Sequence, residues 1–385
     1  MTDIIIAGIG QTPVGEHWDT SLRELAYYAM AQAIEDSGYL RPQALFVGNM
    51  LADQLSSQAH LGALLADFAG LTGIEAYTIE AAGASGAAAL RQAYLAVKSG
   101  LVDVALAVGV EKISDQIGNT TDAALASATD GDYEAVHGMT LEAQAALLMR
   151  RYLYESGAPR SAFAALPLIA HANAVGNPNA MFRKAIRPEV YENAAITVEP
   201  LNMFDIAPWA DGAAAVLLAR RDLLPPKYPH PLVQVAGSAL ATDRLALHDR
   251  PDMLDFYAAR LSMQRACAQA GINPQDADFF ELYDHTSITA VLSLEAAGFA
   301  PRGEGWRLAQ ECSLQGRFPV ATFGGLKARG NPGGATGLYQ VVEAALQLRE
   351  QAGPNQVASP RWGVTQALGG QASTAVTHVL TRLQA

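Results

Sequence analysis

The chain carries EAAGASGAAAL at Glu80–Leu90, a small-residue turn behind an apolar run and in front of a helical pattern. A turn that hands a strand over to a helix is a place where enzymes display a nucleophile, because the helix N-terminus stabilises negative charge. The exposed position of this turn holds Gly83, which has no side chain to display. A second turn of the same kind, GATG at Gly334–Gly337, precedes LYQVVEAALQLRE, just as Gly83–Gly86 precedes AAALRQAYLAVKSG. Both turns follow plausible strands, and the order of elements around them is alike in the two halves of the chain. That is the pattern of a duplicated fold. It predicts two central helices whose small residues let their backbones approach closely.

Outward from these turns, short β-rich runs alternate with helical patterns: DIIIAGIG, SLRELAYYAMAQAIEDSG, ALFVGNML and DVALAVGVEK. Such alternation signals a layered α/β fold. Residues from about 115 to 200 break the rhythm with loop signals such as GNPNA and IRPEVY, and read as a loop and helix insertion in the first half that brings side chains to a site. Strand patterns resume at AAAVLLAR and PLVQVAGSAL, and the Pro-rich LLPPKYPHP at 223–231 is the candidate linker. The expected division is a first half at 1–222 and a second at 232–385.

Composition narrows the function. Of 385 residues, 50% are hydrophobic and 17% charged, which suits a globular protein with a large core. The formal net charge of -12 argues against a phosphate-binding surface, so nucleic acid is not an expected partner. Two cysteines, Cys267 and Cys312, give neither a disulfide framework nor metal-ligand spacing and fit a reducing compartment. No apolar run approaches the roughly 18 residues of a membrane span, and the first residues lack a basic leader. The expectation is a cytoplasmic protein with no metal and no membrane contact.

The ordered stretches GIGQTPVGEHW, VGNM, EAAGASGAAALRQAYLAVKSG, DVALAVGVEKIS, PWADGAAAVLLA, ELYDHTSITAVLSLEAAGFAPRGEG, GGLKARGNPGGATG and QALGGQASTAVTHVL resemble the thiolase superfamily nearly end to end. The branch they resemble most is that of the sterol-carrier-protein-linked thiolases. The resemblance implies a duplicated five-layer αβαβα fold, a homodimer, and a coenzyme A thioester as substrate without a further cofactor. The departures carry the functional argument. The acyl-accepting cysteine of such thiolases is replaced by Gly83, and the GHP motif that supplies the base reads Gly330-Asn331-Pro332. A third motif reads Tyr283-Asp284-His285-Thr286, and a fourth survives as Leu368-Gly369-Gly370-Gln371 without a cysteine.

A thioester enolate without an acyl-enzyme is what retro-aldol cleavage of a 3-hydroxyacyl-CoA requires. Within the superfamily, the cysteine-free aldolases that remove steroid side chains as acyl-CoA resemble this chain. They imply a small partner protein with an acyl-CoA-associated OB-fold domain. A noncatalytic subunit of an acyl-CoA complex and an acyltransferase using a non-cysteine route remain the alternatives.

Tyr283 is the leading acid/base candidate, since a phenol can serve as base or as donor to the substrate oxygen. His285, two residues on, shares its face if the segment is extended. Asn331 can donate a hydrogen bond but cannot take a proton, which suits an oxyanion hole. Tyr339 is either a further phenolic acid/base or a core aromatic, and Asp284 either orients its neighbours or caps a helix starting at Thr286. Gly83, Gly369, Gly370 and Gln371 are expected to shape the thioester pocket. The resemblance places His137 and Met139 of VHGM beside coenzyme A.

Overall fold

A computed structural model describes residues 3–116 and 118–383. In the first half, strands β1 (Ile4–Gln11), β2 (Ala44–Gly48), β3 (Glu75–Ile79), β4 (Val104–Glu111) and β5 (Gly212–Arg220) lie side by side in the order β3-β2-β4-β5-β1. The second half contributes β6 (Val233–Thr242), β7 (Phe279–Glu281), β8 (Trp362–Gly369) and β9 (Thr374–Arg382), in the order β6-β9-β8-β7. Read from β6, the second half repeats the first in mirror order. Its third strand is reduced to a parallel bridge between Phe280 and Val320. Consequently the GATG turn follows a bridge and a π-helical turn, Gly325–Arg329, rather than the strand expected there. The two half-sheets join into one nine-stranded sheet through a single residue pair, Ile5 with Gln234.

Helices cover the sheet on both faces. Helix α1 (Leu22–Asp36) packs on β1, β4 and β5, while α2 (Ser85–Ser99) packs on β4 and β2. The first is started by a capping box, with Ser21 accepting from the Glu24 N–H and Glu24 answering at the Ser21 N–H. Its residues Leu22, Leu25, Ala26, Ala29, Met30 and Ala33 are buried at helical spacing. Between α2 and β5 the insertion supplies α3 (Leu141–Ser156) and α4 (Ala165–Ala174). In the second half, α5 (Tyr257–Ala270) covers β6 and β9, α6 (Ser287–Ala296) follows β7, and α7 (Thr336–Leu348) packs on β8 and β5.

Helices α2 and α7 meet in the centre, between the half-sheets, giving the five layers. Their approach depends on glycine: a Cβ at Gly86 would lie 2.8 Å from the Gly334 carbonyl oxygen, and one at Gly337 2.7 Å from the Ala87 Cβ. With layers on both faces, β4 is buried at all eight positions, VALAVGVE, as a doubly covered strand must be.

Candidate functional site

The Gly83 turn is held from both sides. Ser85 Oγ accepts from the Ala81 N–H at 2.9 Å and donates to the Ala82 carbonyl at 2.6 Å. The Ala82 N–H donates to Glu80 Oε1 at 2.6 Å, and Ala82 itself is left-handed with φ 49°. Gly83 is buried, and its bareness has a cause. A Cβ built there would stand 2.7 Å from the Leu368 carbonyl oxygen and 2.8 Å from Cζ of Tyr283, with the phenol oxygen closer still. The space of a side chain at position 83 is therefore occupied by the hydroxyl of Tyr283.

Past β7 the chain runs on to place Tyr283 and His285 with ring centroids 6.5 Å apart, as the shared-face reading expects. Both are buried. Asn331 reaches them from the GNP turn: its Nδ2 lies 3.2 Å from His285 Nδ1, and its Oδ1 accepts from Thr336 Oγ1 at 3.0 Å. Its backbone is fixed by bonds to Pro208 and Ala210, at 2.9 and 3.1 Å. The Asn331 side chain is thus held between His285 and Thr336. With Asn331 donating to Nδ1, the imidazole proton sits on Nε2. That atom faces Glu142 Oε1 at 3.5 Å, within ion-pair range but too long for a good hydrogen bond.

These surroundings set protonation states. Burial pushes the Tyr283 phenol above its ordinary value, against the opposing influence of Asn331, so the phenol stays protonated at neutral pH. Burial also works to raise the Glu142 carboxyl, but the facing His285 ring and the polar groups of the helix start outweigh it and hold the group at about 2. Glu142 is an ionised acceptor facing His285.

Other candidates fall outside this group. Tyr339 is fully buried, its hydroxyl donates to the Thr12 carbonyl at 2.9 Å, and its ring lies 5.1 Å from the Arg329 guanidinium. It is a core aromatic with its polar end already satisfied, which corrects the acid/base reading. Asp284 does not cap the helix. That is done by Thr286, which accepts from the Thr289 N–H at 3.3 Å, while Asp284 accepts from the Leu326 N–H at 2.7 Å and anchors the Gly325–Arg329 turn. Gly369 packs against the Ala81 carbonyl, and Gly370 turns the chain with φ 56°. Gln371 donates to the Leu141 carbonyl at 2.7 Å and so steadies the helix start that presents Glu142. His137 is exposed on the turn Ala135–His137 and Met139 is half-buried; the structure does not bring either into the Tyr283–His285–Asn331–Glu142 group.

Three residues near the centre escaped the sequence reading: Glu142, Trp209, whose ring lies 5.1 Å from that of His285, and Lys327. All three line a cavity of about 460 Å³ together with Phe182 and Phe204. Glu142 follows the N-cap Thr140, where an acidic residue in the first helical turn reads as ordinary dipole compensation. Only the fold shows that it points at His285.

A mirrored pair of half-sheets around two glycine-linked helices, with a buried site at the first helix's leading turn, defines the thiolase fold. The chain belongs to the thiolase family: residues 4–222 match the description "Thiolase, N-terminal domain" and residues 239–382 "Thiolase C-terminal domain-like". It is an enzyme of the thiolase superfamily. An acetyl-CoA acetyltransferase of Methanothermobacter thermautotrophicus is 40% identical over 99% of this chain and 100% of its own length. A 17-hydroxy-3-oxo-4-pregnene-20-carboxyl-CoA lyase of Mycobacterium tuberculosis is 28% identical over 89% of this chain and 91% of its own. A solved structure described as the Ltp2-ChsH2(DUF35) aldolase superposes with a TM-score of 0.84 at 24% identity, covering 99% of this chain and 98% of that one, a likeness of fold.

Proposed function

We propose that the protein cleaves a 3-hydroxyacyl-CoA by a retro-aldol reaction, releasing a ketone and a shorter acyl-CoA with no covalent acyl-enzyme. The observation that carries this reading is the protonated Tyr283 hydroxyl seated in the side-chain space of Gly83. A proton donor stands at the turn in place of a nucleophile. The cysteines offer no substitute, since burial pushes Cys267 up to about 11 and Cys312 up to about 12. The lyase relative supports the reaction class, and a steroid-derived skeleton is the leading substrate.

In this reading the thioester oxygen takes hydrogen bonds from Tyr283 and from His285 Nε2, held in place by Asn331. Glu142 accepts the β-hydroxyl proton. When the substrate takes over the His285 N–H, Glu142 loses the partner that depresses it while its burial remains, and its basicity rises. The Cα–Cβ bond then breaks, its electron pair passes into the enolate, and a proton delivered to Cα completes the acyl-CoA. Each donor contributes on the order of a few kcal/mol to enolate stabilisation. Asn331, assigned from sequence to the oxyanion hole, becomes the residue that orients the donors.

The partner reading is a small OB-fold protein, supported by the aldolase structure described with its DUF35 component. A homodimer is supported by β3, which ends the sheet and has no buried residue among its five. A second reading, acyl transfer without cysteine, is favoured by the 40% identical acetyltransferase. Incubating the protein and its partner with a 3-hydroxyacyl-CoA bearing a tertiary β-carbon separates the two. Ketone and acyl-CoA formed in equal amounts without free CoA supports the aldolase. Product formation that consumes CoA supports acyl transfer, and no turnover leaves a noncatalytic subunit.

A further inference from the structure

We infer that Lys327 selects the substrate by donating to an acceptor oxygen, ketone or carboxylate, carried on the carbon skeleton that fills the cavity beside Glu142. This deepens, and rests on, the acyl-CoA reading above. Lys327 is 2% exposed and lines the cavity of about 460 Å³. Its Nζ donates to the Asp205 carbonyl at 2.7 Å, and among the described residues no carboxylate stands within ion-pair distance of it. Asp284 and Asp205 act on it only from farther away. An ammonium has three donors, and burying it with one hydrogen bond and no contacting anion is costly. A ligand oxygen entering the cavity would supply what is missing.

The walls describe the rest of the ligand. The His171 ring lies nearly parallel to Phe182, with centroids 6.1 Å apart, and edge-on to Phe204 at 5.8 Å. His171 Nδ1 is engaged at 3.2 Å by the Lys184 carbonyl, so its ring serves as wall. Trp209 and Glu142 line this cavity and both face His285, so the cavity adjoins the site. Flat aromatic walls favour a ring-bearing skeleton over a linear chain. The volume falls within the range of about 300–1,000 Å³ that holds small ligands. The lysine is a fixed donor because the Gly325–Arg329 turn that carries it is pinned by Asp284.

The test uses thioesters without a 3-hydroxyl, so that binding is read apart from turnover: cyclohexylacetyl-CoA and its 3-oxo, 4-oxo, 3-carboxy and 4-carboxy derivatives, titrated calorimetrically into the full-length protein. At least one oxygenated thioester should bind about tenfold tighter than the parent. In Lys327→Met that advantage should vanish while the parent binds as before, which also reports an intact fold. Lys327→Gln keeps an uncharged donor, so it should retain a ketone preference and lose a carboxylate preference. Binding of the parent with no gain from any oxygen, or a gain that survives in Lys327→Met, would overturn the inference. If no thioester binds the wild-type protein, the acyl-CoA reading fails with it.

Discussion

Gly83→Ala adds one methyl group that would stand 2.7 Å from the Leu368 carbonyl oxygen and 2.8 Å from Cζ of Tyr283, with the phenol oxygen nearer still. Ordinary contact begins at about 3.5 Å, so something must move. Overpacking of this kind costs about 1–3 kcal/mol. The sharpest form is a double-mutant cycle with Tyr283→Phe. Without the oxygen, the added methyl meets only the ring and the carbonyl, so the alanine should cost less by about 1 kcal/mol or more. Urea unfolding of the wild type, both single variants and the double variant supplies the four stabilities. Activity gives an independent reading: both single variants displace or delete the phenol, and both should lose about 10²- to 10³-fold in kcat. A Gly83→Ala protein as stable as the wild type, or strictly additive costs in the cycle, would refute the packing argument.

Glu142→Gln should lower kcat by about 10²- to 10⁴-fold with little change in KM, as measured by acyl-CoA release under saturating substrate. Because Glu142 is depressed from 4.5 to about 2, the stability it adds is complete above pH 4.5 and disappears as pH falls through about 2. The stability gap between the wild type and Glu142→Gln, at most about 3 kcal/mol, should therefore shrink between pH 7 and pH 3 in urea titrations, and a widening gap would contradict the lowered Glu142 carboxyl. Incubation with acetyl-CoA should leave the intact mass unchanged, because both cysteine thiols are buried and raised; an acetyl adduct on Cys267 or Cys312 would count against the mechanism. In sedimentation experiments Tyr77→Lys, which puts a charge on the exposed edge strand, should weaken the proposed dimer, whereas unaltered association would move the interface elsewhere.

The fold was legible because its signals are local and repeated. The two Gly-Ala turns, the uninterrupted apolar run of β4 and the small faces of α2 and α7 each follow from layers that leave no room for larger residues. The weak third strand of the second half was not legible, since a single bridge at Val320 leaves no alternation to detect. In the site, Tyr283, His285 and Asn331 could be found because they stand at motif positions and lie close in the chain or at a turn. Glu142 comes from a helix in the insertion, and nothing within its own neighbourhood distinguishes it from a dipole-compensating glutamate. Tyr339 was ambiguous for the opposite reason: its acceptor, the Thr12 carbonyl, lies 327 residues away in sequence. Partners that only tertiary structure brings together leave no spacing to read.

Gly83 belongs to the first half of the chain and the phenol that covers it to the second, while the half-sheets share one residue pair and the central helices touch through glycines. The proposed proton donor and the turn it covers are therefore brought together by docking and meet in neither half alone. A chain whose helices and strands are formed but whose halves have parted by an ångström or two would keep its circular dichroism and lose its chemistry. Mild denaturant should thus silence the enzyme before it unfolds. A protein that binds across the seam would set the activity by holding the seam shut, without contributing an atom to the reaction.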